Sequence, residues 1–184
     1  MNTELYDLAS WAVETAKTAG AAASRAEISR ERSVEIGYRQ QKPENIKEAA
    51  KRLLNLEVFV DGRYSGQSTS DLRKEALYKF ITDAVAATRL LAEDPFRSLP
   101  DPRYYQGRSE VDLELNDPEY AGYTPEDRHA TAKVIESACL QAGGDKVISV
   151  TCSVQDGFAE SVLLASNGVQ GYQSSTYYTS VAEM

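Results

Sequence analysis

A chain of 184 residues, 42% hydrophobic and 26% charged, can bury a core as one domain or as one domain plus part of another. It has no apolar run long enough to cross a bilayer. Its 28 acidic and 20 dispersed basic side chains give a net charge of −8, which disfavours non-specific nucleic-acid binding, and two cysteines and one histidine exclude a disulfide scaffold and most metal sites.

The stretch that opens Met1-Asn2-Thr3-Glu4-Leu5 lacks a basic-then-apolar signal pattern, so the expected location is cytoplasmic. Leu5, Leu8, Ala9, Ala12, Ala16 and Ala19 fall on one face of a helix over 3–19, capped by Asn2 or Thr3 and stopped at Gly20. Residues 25–38 alternate. Ala26, Ile28, Val34, Ile36 and Tyr38 share one face, and Glu27, Ser29, Glu31, Ser33 and Glu35 share the other, as in a strand with one wet side. Glu44 to Leu56 is ambiguous, because Glu48-Ala49-Ala50-Lys51-Arg52-Leu53-Leu54 also has high helix propensity.

The run from Leu56 to Leu72 reads as strand, turn, strand and helix start. Its Asp61-Gly62 dipeptide tolerates positive φ at both central positions of a type I′ turn. A helix over 72–92 follows, with Ser70 or Asp71 as cap and Leu77, Phe80, Ile81, Ala84, Val85, Thr88 and Leu91 as its apolar stripe. Pro95, Pro100 and Pro102 punctuate a loop. Thr124-Pro125-Glu126-Asp127 is a capping box that opens a third helix. Its expected core face is Ala130, Val134, Ile135, Ala138 and Ala142, and Gly143-Gly144 ends it. Three strands are expected over 146–155, 157–166 and 170–181, with turns at Asp156-Gly157 and Asn167-Gly168. Ile148, Val150, Cys152 and Val154 form the apolar face of the first. The order predicts an α+β fold, a mainly antiparallel sheet with three main helices packed on it.

Few side chains stand out for chemistry. His129 groups with Lys133 and Glu136 on the outer side of the third helix and reads as a surface histidine, with Asp127 too near in sequence to be a distant triad partner. Cys139, Cys152 and His129 lack zinc spacing, and Cys152 reads as a small core residue. Gly62, Gly66, Gly157 and Gly168 do not make a phosphate loop. The strand from Tyr172 to Ser180 is rich in β-formers yet has almost no aliphatic face. It reads as a surface or edge strand, and as a candidate for receiving an extended peptide by main-chain pairing through Tyr172, Ser174, Thr176 and Tyr178.

The run Val58-Phe59-Val60-Asp61-Gly62-Arg63 followed by Gly66 and Ser68-Thr69-Ser70-Asp71-Leu72 resembles a segment near the start of the TldD/PmbA proteins, metallopeptidases and their partner subunits long labelled modulators of DNA gyrase. The Leu99-Pro100-Asp101-Pro102 loop, Asp112-Leu113-Glu114-Leu115-Asn116-Asp117-Pro118, the Thr124 helix start and Ala165-Ser166-Asn167-Gly168 follow in the family's order. The Leu-Pro-Asp-Pro loop leans toward the PmbA side. Leu53 and Asn55 stand where the family often has glycine, and Arg73 where a capping serine is common.

The resemblance makes 44–56 a strand that runs on into Val58-Phe59-Val60, and that is the expectation adopted. It implies that 1–184 is the N-terminal region of a longer protein with the catalytic domain elsewhere, and the order of elements offers sub-layers 1–100 and 101–184. It implies a system that processes or degrades small unfolded peptides, in which this region serves assembly and peptide handling, paired with itself or a paralogue; the charge and the lack of a long apolar run add the expectation of no direct nucleic-acid or membrane contact. The family peptidase holds a divalent metal, zinc by expectation, on an H-E-x-x-x-H motif. That motif is absent here, so no catalytic, metal or cofactor residue carries over. Two other readings are a non-catalytic PmbA-like scaffold subunit and a stand-alone enzyme with an acid/base site among its carboxylates.

Overall fold

The computed structural model describes residues 2–109 and 111–184. The fold is α+β. Three helices, α1 (Thr3–Thr18), α2 (Lys74–Thr88) and α3 (Pro125–Gly143), accompany five strands. These are β1 (Ala23–Arg39), β2 (Lys42–Val60), β3 (Arg63–Thr69), β4 (Thr151–Ala165) and β5 (Gln170–Glu183), in one sheet of order β3-β2-β1-β4-β5. The segment with high helix propensity is strand throughout, inside β2. The chain divides into two compact units, each drawing on β1, β2, β4 and β5.

The first unit comprises Met1–Arg30, Lys51–Asp112 and Glu160–Gln173. Its core is the face the spacing indicates: Leu5, Ala9, Ala12 and Ala16 of α1 and Leu77, Ile81, Ala84 and Val85 of α2. These pack with Ala26, Ile28, Leu54, Leu56, Val58 and Val60 of the sheet. Burying each of the larger aliphatic side chains stabilises the fold by about 1.5–3 kcal/mol. Asn2 caps α1 by accepting from the Leu5 N–H at 3.3 Å. The β2–β3 hairpin closes through Asp61 (φ 49°) and Gly62 (φ 72°), with Val60 opposite Arg63. Two positive φ values in a row match the right-handed strand twist, as the Asp-Gly pair predicts.

The start and end of α2 differ from expectation. Neither Ser70 nor Asp71 is its cap. The N-cap is Arg73, which makes no side-chain cap bond. Asp71 instead accepts from the Arg73 backbone N–H at 3.2 Å and from its guanidinium at 2.5 and 2.9 Å. That contact holds the Asp71 carboxyl down to about 2. An acceptor already held by Arg73 two residues on no longer serves the helix terminus. Leu91 lies beyond the last turn and is half exposed, while its carbonyl accepts from Arg63 Nε at 2.9 Å. Arg63 also reaches Glu93, at 2.9 Å, so this hairpin residue ties the turn to the loop after α2.

The second unit comprises Glu31–Ala50, Leu113–Ala159 and Ser174–Met184. Its small core gathers Tyr38, Ala132, Val150, Cys152 and Val154, with Ile135, Cys139, Val147 and Ala182 packed against it. The capping box of α3 is present in full: Thr124 Oγ1 accepts from the Asp127 N–H, and the Asp127 carboxylate accepts from the Thr124 N–H at 2.8 Å.

Three expectations fail in this unit. The stripe Ala130, Val134, Ala138 and Ala142 of α3 is exposed, and the buried positions are Arg128, Ala132 and Glu136. Each buried charge has a partner: Arg128 pairs with Asp156, and Glu136 Oε2 accepts from the Gln41 N–H at 2.9 Å, in the β1–β2 turn. Polar anchoring, not apolar spacing, sets the rotation of the helix. Asp156-Gly157 is not a turn. β4 runs straight through it, Asp156 is fully buried, and two strands stand where three were expected. Gly157 serves close approach instead, since a Cβ there would lie 2.5 Å from the Tyr177 ring. Residues 144–146 form a 3-10 turn before β4, which leaves Ile148 fully exposed.

Candidate peptide-binding edge

β5 is an edge strand of the sheet, as its missing aliphatic face suggests. The four residues singled out on it have different surroundings. In the first unit, the Tyr172 hydroxyl donates to Glu160 Oε2 at 3.2 Å. Glu160 is almost fully buried and also accepts from Asn2 Nδ2 at 2.9 Å and pairs with Arg30. Tyr172 therefore anchors β5 through a satisfied buried carboxylate.

Ser174, Thr176 and Tyr178 belong to the second unit and share one neighbour, the irregular segment Leu115–Asp117. The Thr176 N–H donates to the Leu115 carbonyl at 2.9 Å. Asn116 Nδ2 donates to the Ser174 carbonyl at 3.1 Å and to its Oγ at 2.9 Å. The Asp117 N–H donates to Thr176 Oγ1 at 2.8 Å, and the Tyr178 hydroxyl donates to Asp117 Oδ2 at 2.6 Å. That last bond pushes the Tyr178 phenol up to about 12 and lowers the Asp117 carboxyl.

Tyr178 also stands edge-on to Tyr123 (ring centroids 5.4 Å apart) and to Tyr120 (6.0 Å). Beside it opens a cavity of about 630 Å³ lined by Asp117, Glu119, Tyr123, Asp127, Thr131 and Tyr178 among others. One of its lining residues, Tyr123, is held by a network that spacing alone does not reveal. Arg128 makes two bonds to Asp156, at 2.5 and 2.6 Å, and donates to the Tyr123 carbonyl at 3.0 Å. Its guanidinium also lies 4.8 Å from the Tyr123 ring centroid, and the Tyr120 hydroxyl donates to Asp156 at 3.0 Å. This is a fully paired buried network, and it fixes two of the three tyrosines.

The remaining candidates do not converge. His129 is half-buried, its ring 6.4 Å from that of Tyr38, so it is less solvated than its sequence neighbours imply. Cys152 is fully buried, and desolvation, with Glu136 and Cys139 nearby, pushes its thiol up and away from thiolate chemistry. Among the described residues no three His, Cys, Asp or Glu side chains are grouped to hold a metal ion. No described helix is long and apolar enough to cross a membrane.

No family model matches the chain, and no curated protein matches it. Solved structures do. A Bacteroides thetaiotaomicron protein described as a "putative modulator of DNA gyrase" is similar at 32% identity and a TM-score of 0.91, over 98% of this chain and 41% of that one. A Thermotoga maritima protein of the same description is similar at 12% identity and a TM-score of 0.71, over 96% of this chain and 42% of that one. TldE from Thermococcus kodakarensis is similar at 15% identity and 0.71, over 94% and 38%. The last two likenesses show the fold alone. The chain spans about two fifths of the length of these structures. Its structural neighbours are thus proteins of the TldD/PmbA family, the family that the ordered motifs resemble.

Proposed function

We propose, from this likeness to the TldD/PmbA proteins, that the chain is the peptide-handling and assembly region of a metallopeptidase system of that family. The system processes or degrades small unfolded peptides in the cytoplasm, pairs with a second subunit of the family, and has its metal and its catalysis outside this chain. The observation that carries the reading is the edge of β5. Its Thr176 N–H and Ser174 carbonyl face outward and bond a chain segment rather than a neighbouring strand. An extended peptide of any sequence offers the same main-chain groups. The net charge of −8 supports a peptide rather than nucleic acid as the ligand.

A second reading, a PmbA-like scaffold subunit, draws on the Leu99-Pro100-Asp101-Pro102 loop. The loop is ordered around Asp101, which caps a 3-10 turn by accepting from the Arg103 N–H at 2.9 Å, and Pro100, whose carbonyl accepts from Asn167. Incubating the chain with unstructured peptides, with and without zinc, tests the leading proposal. Binding without turnover supports it, and robust cleavage by the pure chain overturns it.

A further inference from the structure

The segment Leu115–Asp117 has the contacts of a ligand. It gives β5 one main-chain bond, from the Thr176 N–H to the Leu115 carbonyl, and lets Asn116 Nδ2 imitate a backbone N–H on the Ser174 carbonyl. Its remaining pins are polar too: Asp117 to Thr176 and to Tyr178. Among the described residues no fully buried apolar side chain of the segment anchors it. Leu113 and Leu115 are exposed, at 70% and 43%. Glu114 takes a left-handed φ of 51°, uncommon outside glycine. A segment held by a few partly exposed hydrogen bonds, with little buried apolar area, belongs to the low-stability end of a fold.

We propose that residues 115–117 are a resident strap on the outer edge of β5, and that an extended peptide binds Ser174–Tyr178 by displacing it. The inference rests on the peptide-handling reading and adds the regulation of that site. The strap imitates the ligand class, an extended chain offering one carbonyl and one donor to the edge, and its occupancy sets the apparent affinity. An edge covered by its own chain is also shielded from pairing with other molecules. Peptide affinity then falls by the fraction of molecules with the strap seated.

The test uses a fluorescein-labelled Ser/Thr-rich unstructured peptide, fluorescence anisotropy, and amide exchange at Thr176. Asn116→Ala with Asp117→Ala removes the side-chain pins. The expected result is faster exchange at Thr176 and peptide binding tightened by roughly tenfold, the equivalent of one to two net hydrogen bonds. Leu115→Cys with Thr176→Cys provides the converse, a strap locked by oxidation, which loses peptide binding and recovers it on reduction. Faster Thr176 exchange with unchanged affinity, or a locked variant that still binds, overturns the strap. Absence of peptide binding by wild type and unpinned variant alike, despite faster exchange, overturns the peptide-handling reading as well.

Discussion

Arg128 and Asp156 show how much one pair decides. Both side chains are nearly inaccessible, 6% and 0% exposed, and they meet through two short bonds. Removing one partner strands the other charge in the core. Arg128→Met is expected to cost about 3–5 kcal/mol in urea denaturation, and adding Asp156→Leu to recover most of it. A single variant within about 0.5 kcal/mol of wild type contradicts the role given to the pair. Tyr178 offers a pH test. Its phenol titrates at about 12 instead of the ordinary 10, chiefly because it donates to Asp117. The fold favours the neutral form, so that contribution is complete below pH 10 and is lost as pH rises through about 12. The tyrosinate absorbance of wild type minus Tyr178→Phe should show a midpoint near 12, and one near 10 contradicts the bond.

At the scale of elements, legibility followed how local the determinant was. The Asp61-Gly62 hairpin and the Thr124–Asp127 capping box are fixed by neighbours in sequence, and both are present as read. Strand β2 overrode its helix propensity through pairing in the sheet, and only the resemblance pointed there. The face of α3 was misread because its apolar side chains are mostly small, while its orientation is set by Asp156 and Gln41, which lie 28 and 95 residues from their partners on the helix. For the same reason Asp156-Gly157 reads as a turn until Arg128 and Tyr177 are placed beside it. One pair of variants checks the face. Val134→Ala, on the exposed side, should change stability by no more than about 0.5 kcal/mol. Ala132→Leu, in the core, should cost about 1–3 kcal/mol by overpacking. The reverse ranking in thermal denaturation would restore the face expected from spacing.

For the whole molecule, composition and motif order indicated the class and the family likeness, and the edge position of β5 was readable from its missing aliphatic face. The strap was not, because Leu115 and Thr176 are 61 residues apart and nothing local marks the contact. On the proposed function, this chain handles peptides at an edge and leaves them uncut. The most direct measurement is hydrogen exchange on the wild-type chain with and without an unstructured peptide, with the peptide recovered and sized afterwards. Peptide-dependent changes are expected to centre on Ser174–Tyr178 and Leu115–Asp117, with the peptide returning intact. Protection confined to surfaces away from β5, or a cleaved peptide, would contradict it.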